Sequence, residues 1–446
     1  MNKRLIRSVS ATLGVITVGL LGFAGSASAA GTPAAAVGTK QHPVYMWNMP
    51  KTLAMRQQAA RQKGFNMPPF LACVPGQPLP VVSTPIIPVN PNCVPPGPPA
   101  GAPWMGNMAY FGGHVQVAPR LYMVFYGWGQ KGAFKSACSP TTLVEGSIRA
   151  VLKCDPDGAG KRMADFVQQL GGTAWAGSQT QYYENVINAD GSIAYQQHIT
   201  NPKNQLAGIW ADDTSPVKDV LTPSRTQATL GAEASRAVKH FKLKASDLAD
   251  SQILVIQPQN FSDPNAASTG YCAWHDYTEP GIEGHVYDGL TPNISFTNMP
   301  YILDINFSLP TGTLNACGEN IVNSGAAGVL DGQTVVLGHE IEETVTDPGA
   351  ETASTYGGLT SSYSLGGWYD AEQYENGDKC AWVGTSPAYS QLGKGPGLIP
   401  NFPGEVGVIT GNGGGKFPVQ SLWSNSSALG AGYCAGAGTD LPGPLA

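Results

Sequence analysis

The sequence predicts a single, loop-rich α/β or α+β domain in which helices cover a mixed sheet. Short apolar runs that end at glycine alternate with helical apolar periodicity, and this alternation favours helices packed on a sheet over a β-sandwich. The 56 glycines and 36 prolines among 446 residues indicate many turns and long loops. Charged residues make up only 13% of the chain, about half the average share, which excludes disorder driven by charge.

The N-terminus has the three parts of a secretory signal peptide. Basic residues within the first seven positions precede an apolar stretch at 11–24, and Ala-Ser-Ala at 27–29 supplies a cleavage site of small residues. A retained membrane anchor is the alternative, but the apolar stretch is short for a span. We therefore expect residues 1–29 to be removed, and the mature protein to be secreted with no membrane segment left.

Residues 30–103 are predicted to form a leader before the domain proper, which we place at 104–446. A short helix candidate at 51–62 is followed by eleven prolines between 75 and 103. Such a proline-dense run favours extended polyproline conformation and does not enter a sheet interior. We expect a spacer, a wrapped arm or a removable pro-segment.

The elements of the domain follow in order from the apolar pattern. The continuous apolar and aromatic run at 121–126 stops at a glycine, which is typical of a buried strand. Helical periodicity predicts helices at 143–152, 161–170 and 226–241. A second buried strand is predicted at 253–256.

The chain has eight cysteines, and an even number in an exported protein indicates disulfides. No Cys-x-x-Cys pair occurs, which disfavours a cysteine zinc site. The sequence does not choose among the pairings, and pairing of nearest neighbours is our working prediction. That prediction joins Cys73 to Cys93, Cys138 to Cys154, Cys272 to Cys317 and Cys380 to Cys434.

The chemistry is concentrated in a His-Glu-x-x-Glu motif formed by His339, Glu340 and Glu343. On a helix, residues i and i+4 lie one turn apart on the same face, so His339 and Glu343 can bind one metal ion. Glu340, about 100° round the helix, is placed to take a proton from a water that the metal polarises. The same arrangement of ligands and base occurs in the His-Glu-x-x-His zinc peptidases, but here glutamate replaces the second histidine. The sequence therefore predicts a zincin-like domain with an active-site helix.

The segment 334–347 is predicted to form that helix. Leu337, Ile341 and Val345 make one apolar stripe, and the metal ligands lie on roughly the opposite side. We expect the helix to pack on a core and to face a cleft. The alternative is an acidic surface helix, which the apolar content of the segment disfavours.

A third ligand is expected downstream, in the segment 367–380. It offers four acids within reach of a disulfide candidate: Asp370, Glu372, Glu375 and Asp378. Any of them can instead cap a turn, which is common for acids beside glycine or asparagine. The spacing alone leaves them as alternatives, with Asp370 and Asp378 as further ligands or hydrogen-bond partners of the ligands.

Three stretches of the chain carry a resemblance to a known family. They are Gly-Gly-x-Val before the aromatic strand in 111–128, His-Glu-x-x-Glu in 338–348, and Glu-x-x-Asp-x-Cys in 374–380. Together they resemble the exordium, or phosphate-induced protein, family and its secreted bacterial relatives. The resemblance implies Glu375 as the third ligand, with Asp378 beside it as an alternative. It also implies an extracellular protein, and it brings no established reaction.

These features predict a secreted metal-dependent hydrolase of the zinc-peptidase type that acts on a polypeptide or cell-wall substrate. Zn²⁺ is the expected ion, and two carboxylate ligands also admit Mn²⁺ or Ca²⁺. An oxyanion partner would be a histidine or tyrosine, with His275, Tyr277 and His285 as upstream candidates. The alternative function is a non-catalytic extracellular protein with a structural metal or a carbohydrate-binding role.

Two other classes of partner are disfavoured. The net charge is −6 and the chain has no run of basic residues, so the sequence does not predict the basic surface that binds nucleic acid. Residues 127–132 match Gly-x-Gly-x-x-Gly, but no helical pattern opens at the third glycine, so no dinucleotide cofactor is expected.

Overall fold

The computed structural model describes part of the chain, and every described residue belongs to one compact unit, Thr39–Ala446. The predicted signal peptide, the proline-dense run, the helix candidate at 51–62 and nearly all of the one at 143–152 lie outside the described residues. The described residues are 44–47, 107–130, 132–134, 152–153, 155–188, 192–213, 223–261, 266, 270–278, 290–305, 317–349, 366–370, 374–382, 406–426 and 432–435.

A mixed six-stranded sheet forms the centre of the domain, with strands in the order β1-β8-β9-β7-β3-β6. Neighbours from β9 to β6 run parallel, and β8 and β1 are antiparallel to their neighbours at one side. Within the described residues, four two-stranded ribbons lie outside this sheet. The prediction of a loop-rich α/β fold with a mixed sheet is confirmed. The strands are β1 Val44–Trp47, β2 Ala109–Tyr110, β3 Arg120–Tyr126, β4 Tyr183–Ile187, β5 Ile193–His198, β6 Leu206–Asp212, β7 Ser251–Ile256, β8 Tyr271–Tyr277, β9 Ser295–Met299, β10 Trp368–Tyr369, β11 Val406–Thr410, β12 Lys416–Gln420, β13 Leu422–Ser424 and β14 Tyr433–Ala435.

The two central parallel strands, β3 and β7, are the most apolar, as is typical of strands covered on both faces. All of β7 is buried, and β3 is buried from its second residue onward. The strands predicted at 121–126 and 253–256 are therefore confirmed.

The antiparallel side of the sheet carries residues important to the site. In β8, His275 and Tyr277 alternate with residues of the opposite face, and β1 pairs with β8 so that Val44 lies opposite His275. Because β1 falls within the predicted leader, at least residues 44–47 of that leader are part of the sheet.

Six helices are described, and three were predicted. Helix α1 (Ala159–Leu170) corresponds to the prediction at 161–170, α3 (Pro223–His240) to that at 226–241 and α6 (Asp331–Thr346) to that at 334–347. The helices are α1 Ala159–Leu170, α2 Ala174–Gly177, α3 Pro223–His240, α4 Ala245–Leu248, α5 Ile302–Ile305 and α6 Asp331–Thr346, with 3₁₀ turns at Ser178–Gln181, Gly325–Ala327 and Asp378–Cys380.

Helix α6 is buried along its whole length, which differs from the expected two-sided pattern. It packs on β8, β9 and β12, and its polar side chains face two of these strands: His339 contacts Gln420 of β12, and Glu340 contacts His275 of β8. Helices α1 and α2 also pack closely on α6, since a Cβ atom at Gly338 would lie 3.0 Å from the Trp175 ring and 3.2 Å from the Phe166 ring. The polar residues of α6 are therefore interior groups.

Two disulfides agree with the predicted pairing. Cys272 is bonded to Cys317, and Cys380 is bonded to Cys434. The other four cysteines lie outside the described residues. Among the helices that the structure describes, none has the length and apolar character needed to cross a membrane.

A buried carboxyl on α3 predicts that stability depends on pH. Glu233 is fully buried beside Arg236 and Asp212, and burial raises its pKa to about 8. The folded protein then holds this proton more tightly than the unfolded chain does. Stability due to Glu233 is present below about pH 4.5 and is lost as the pH rises toward 8, by up to about 1.4 kcal/mol per pH unit.

Replacing Glu233 with glutamine should remove this dependence, because the amide does not ionise. Urea unfolding at pH 5 and pH 8 measures it. We expect the free energy of unfolding to fall less between the two pH values in Glu233→Gln than in the wild type. An equal fall in both proteins would assign the effect to other groups.

Candidate metal centre

Helix α6 presents the motif side chains as predicted. His339 and Glu343 lie one turn apart, with His339 Nε2 3.1 Å from Glu343 Oε1. His339, Glu340 and Glu343 have no exposed surface. The helical spacing therefore places an imidazole nitrogen and a carboxylate oxygen close enough to bind one ion.

The segment 374–382 closes over this face of α6. The Asp378 backbone N–H donates to Glu343 Oε1 at 2.7 Å, and Asp378 Oδ1 lies 3.8 Å from His339 Nε2. A Cβ atom at Gly377 would lie 2.8 Å from both Glu343 Oε1 and His339 Nδ1, so glycine allows the backbone to pass this close. The Asp378 side chain is 12% exposed, and it is the most solvent-accessible acid of the cluster.

Hydrogen bonds to α6 and a disulfide bond hold the segment in place. The Asn376 side-chain amide donates to the Glu342 carbonyl oxygen at 2.8 Å and to Gln179 Oε1 at 2.7 Å. Cys380 is bonded to Cys434 shortly after Asp378. These contacts fix the position of the acids without using their carboxylates.

Gln420, the last residue of β12, orients the His339 ring. Its amide nitrogen donates to the Gly377 carbonyl oxygen at 2.8 Å, so its amide oxygen faces His339 Nδ1 at 3.2 Å. In the neutral imidazole this contact places the proton on Nδ1 and leaves the lone pair on Nε2, toward Glu343. Such a partner on the second nitrogen is typical of metal-binding histidines.

His275 enters the site from β8 on the other side of Glu343. Its Nδ1 lies 3.0 Å from Glu340 Oε2 and 3.7 Å from Glu343 Oε2, and its Nε2 lies 3.6 Å from Glu375 Oε2. Sequence reasoning named His275 only as an oxyanion candidate. The structure brings it into the cluster itself.

Two groups in the described part of the chain have the geometry to hold an ion, and they share Glu343. One consists of His339, Glu343 and Asp378, and the other of His275, Glu343 and Glu375. In each group the ligand atoms lie within 4.8 Å of one another. Glu375, implied above as a ligand beside His339, is thus grouped with His275, whereas Asp378 is grouped with His339.

The other candidates lie elsewhere. Asp370 Oδ2 accepts from the buried Lys379 ammonium at 2.6 Å, which gives this carboxylate an ion-pair role, and it belongs to neither group. Tyr277 is buried against Gly349, just after α6. Glu372 and His285 lie outside the described residues.

The electrostatics of the cluster favour a cation. Burial, together with the charges of Glu343 and Asp378, raises the pKa of Glu340 well above its usual value. Burial lowers the pKa of His339, but the Glu343 and Asp378 carboxylates and Gln420 outweigh it and raise that pKa. Glu343 Oε2 is buried and accepts no hydrogen bond within the described residues. A divalent ion satisfies such an oxygen, so the residues present fit a metal.

Comparisons of the chain with protein-family models, with curated proteins and with solved structures found no match. The chemistry and geometry of this centre are therefore the basis on which a function is inferred.

Proposed function

We propose that this chain is a secreted metal-dependent hydrolase with a zincin-like domain, which cleaves peptide bonds. The observation that supports this proposal most is the ligand group formed by His339, Glu343 and Asp378. A buried glutamate, Glu340, lies next to this group and belongs to neither ligand group. Nitrogen and carboxylate ligands suit Zn²⁺, and the two carboxylates also admit Mn²⁺ or Ca²⁺. A divalent ion there would supply a Lewis acid for a substrate carbonyl.

The roles of the chain's own residues follow from their positions. Glu340 accepts the proton of the attacking water and passes it to the leaving amine. His275 holds Glu340, since its Nδ1 lies 3.0 Å from Glu340 Oε2. Gln420 orients His339. The side chain of Asp378 is partly exposed to solvent, so the substrate would approach the metal centre from the side of Asp378.

The compartment is part of the same proposal. Residues 1–29 have the pattern of a signal peptide, and two disulfides are expected in an oxidising compartment. A polypeptide outside the cell is the substrate class that such a site would meet.

One observation favours a second function. Of the six clustered groups, only Asp378 has more than a few per cent of its side chain exposed. Structural metal sites are closed, whereas catalytic sites keep an open position. The same ligands can therefore serve as a structural metal site in a non-catalytic extracellular protein.

Metal removal tests the proposal. We expect the purified mature protein to contain a divalent metal by inductively coupled plasma mass spectrometry and to hydrolyse casein. Dipicolinate should remove both the metal and the activity, and added Zn²⁺ should restore them. His339→Ala should be inactive and should contain less metal than the wild type, because the ion beside Glu340 loses its only nitrogen ligand from α6.

The outcomes separate the two functions. A metal that remains bound in the wild type with no hydrolysis of casein or of a peptide library would support the structural function. A protein without metal that also fails to bind added Zn²⁺, Mn²⁺ or Ca²⁺ would contradict both.

A further inference from the structure

The Glu343 carboxylate lies between two histidines, with one oxygen toward each. Oε1 is 3.1 Å from His339 Nε2, and Oε2 is 3.7 Å from His275 Nδ1. Oε1 also accepts the Asp378 N–H, whereas Oε2 is buried and accepts no hydrogen bond within the described residues. The two oxygens therefore face two different places.

A single ion does not account for both histidines. With bonds of about 2.1 Å, two ligands of the same ion lie at most about 4.2 Å apart. Yet none of the groups that the described residues form within 4.8 Å contains both His275 and His339. The two groups share only Glu343, so they define two neighbouring ion positions.

We propose that this centre holds two divalent cations bridged by Glu343. One would be bound by His339, Glu343 Oε1 and Asp378, and the other by His275 Nε2, Glu343 Oε2 and Glu375, which leaves His275 Nδ1 beside Glu340. Paired ions about 3.5–4 Å apart, shared by a carboxylate, are a common hydrolytic arrangement. The proposal rests on the metal centre of the proposed function and not on its catalysis.

The charge of the cluster supports two ions. Glu343, Glu375 and Asp378, the three carboxylates of the two ligand groups, carry three negative charges when ionised, which is more than one divalent cation balances. One ion therefore leaves part of this charge uncompensated in an interior where each unbalanced charge is costly. The second ion would also have His275, which lies on β8 rather than on the motif helix, as a ligand.

Metal stoichiometry of the mature protein tests the proposal, with Mn²⁺ as the probe after chelation. We expect about two Mn²⁺ per chain in the wild type, and about one in His275→Ala and in His339→Ala. Glu375→Gln, which keeps the size of the side chain, should also bind about one. His198→Ala is the matched control, because His198 is exposed on the β4–β5 ribbon, and it should bind about two.

Electron paramagnetic resonance gives a second readout. Two Mn²⁺ ions bridged by Glu343 should give a spin-coupled spectrum, and the single-ion variants should give the spectrum of an isolated ion. Circular dichroism and thermal unfolding on each variant identify any that fail to fold.

The result that overturns the proposal differs from the one that overturns the proposed function. One ion per chain that is lost in His339→Ala and unchanged in His275→Ala would reject the second position, while a metal-dependent hydrolase could still stand. Two ions per chain that remain in both His275→Ala and Glu375→Gln would place the second ion elsewhere and reject this assignment.

Discussion

Replacing Glu340 with glutamine should lower the rate of peptide hydrolysis by about 10²–10⁴-fold while the metal content stays at the wild-type level. Glutamine has the same size, and its amide oxygen can still accept from His275 Nδ1, 3.0 Å away in the wild type. It cannot accept a proton from the attacking water. The change therefore removes the proposed chemical step and leaves the ligands of either ion in place.

Glu342→Gln is the matched control for this variant. Glu342 is on the same helix and equally buried, but it belongs to neither ligand group. Burial raises the pKa of Glu342 well above its usual value, and glutamine keeps the size of its side chain. We expect unchanged metal content and rate in Glu342→Gln. An equal loss of rate in both variants would indicate a general packing effect, and an unchanged rate in Glu340→Gln would reject its role as the base.

The sequence predicts the parts of this protein that are encoded locally. A run of apolar residues ended by glycine predicts β3, and the i and i+4 spacing of His339 and Glu343 predicts that they share a helix face. Neighbouring cysteines predict two disulfides. In each case the residues that decide the structure lie within one element or one loop.

The rest of the site depends on tertiary contacts that leave no local pattern. Gln420 is 81 residues from His339, and His275 is 65 residues from Glu340. No spacing rule connects such positions, because the order of strands in the sheet determines which of them meet. The choice between Asp378 and Glu375 is of the same kind, since it depends on how the turn at Gly377 passes the helix.

The environment of α6 illustrates the same limit. An apolar stripe predicts one buried face, and the structure buries the whole helix. Periodicity indicates which side of a helix is apolar, but the polar side of α6 is covered by β8 and β12, which are distant from it along the chain. Polar residues in such a place need partners or a ligand, which is the physical reason to look for ions there.

Removing the Cys272–Cys317 disulfide, by changing both residues to alanine, should lower the free energy of unfolding by about 2–4 kcal/mol. The bridge closes a loop with a sequence separation of 45, for which restriction of the unfolded chain amounts to about 4 kcal/mol. Both sulfurs are buried, so the change also removes packed atoms. Urea unfolding with the same protein concentration and metal content measures this difference.

The disulfide links β8, which carries His275, to a segment packed against α6, which carries His339, so its loss should also change metal binding. Cys272 precedes His275 by three residues on β8, and the Cys317 carbonyl contacts α6 so closely that a Cβ atom at Gly332 would lie 2.2 Å from it. If the bridge sets the spacing of β8 and α6, the double alanine variant should bind the His275 ion more weakly and retain the His339 ion. Mn²⁺ titration distinguishes this from a uniform loss. Equal weakening of both ions, or stability within 0.5 kcal/mol of wild type, roughly the size of an ordinary surface substitution, would show that the sheet and helix hold their spacing without it.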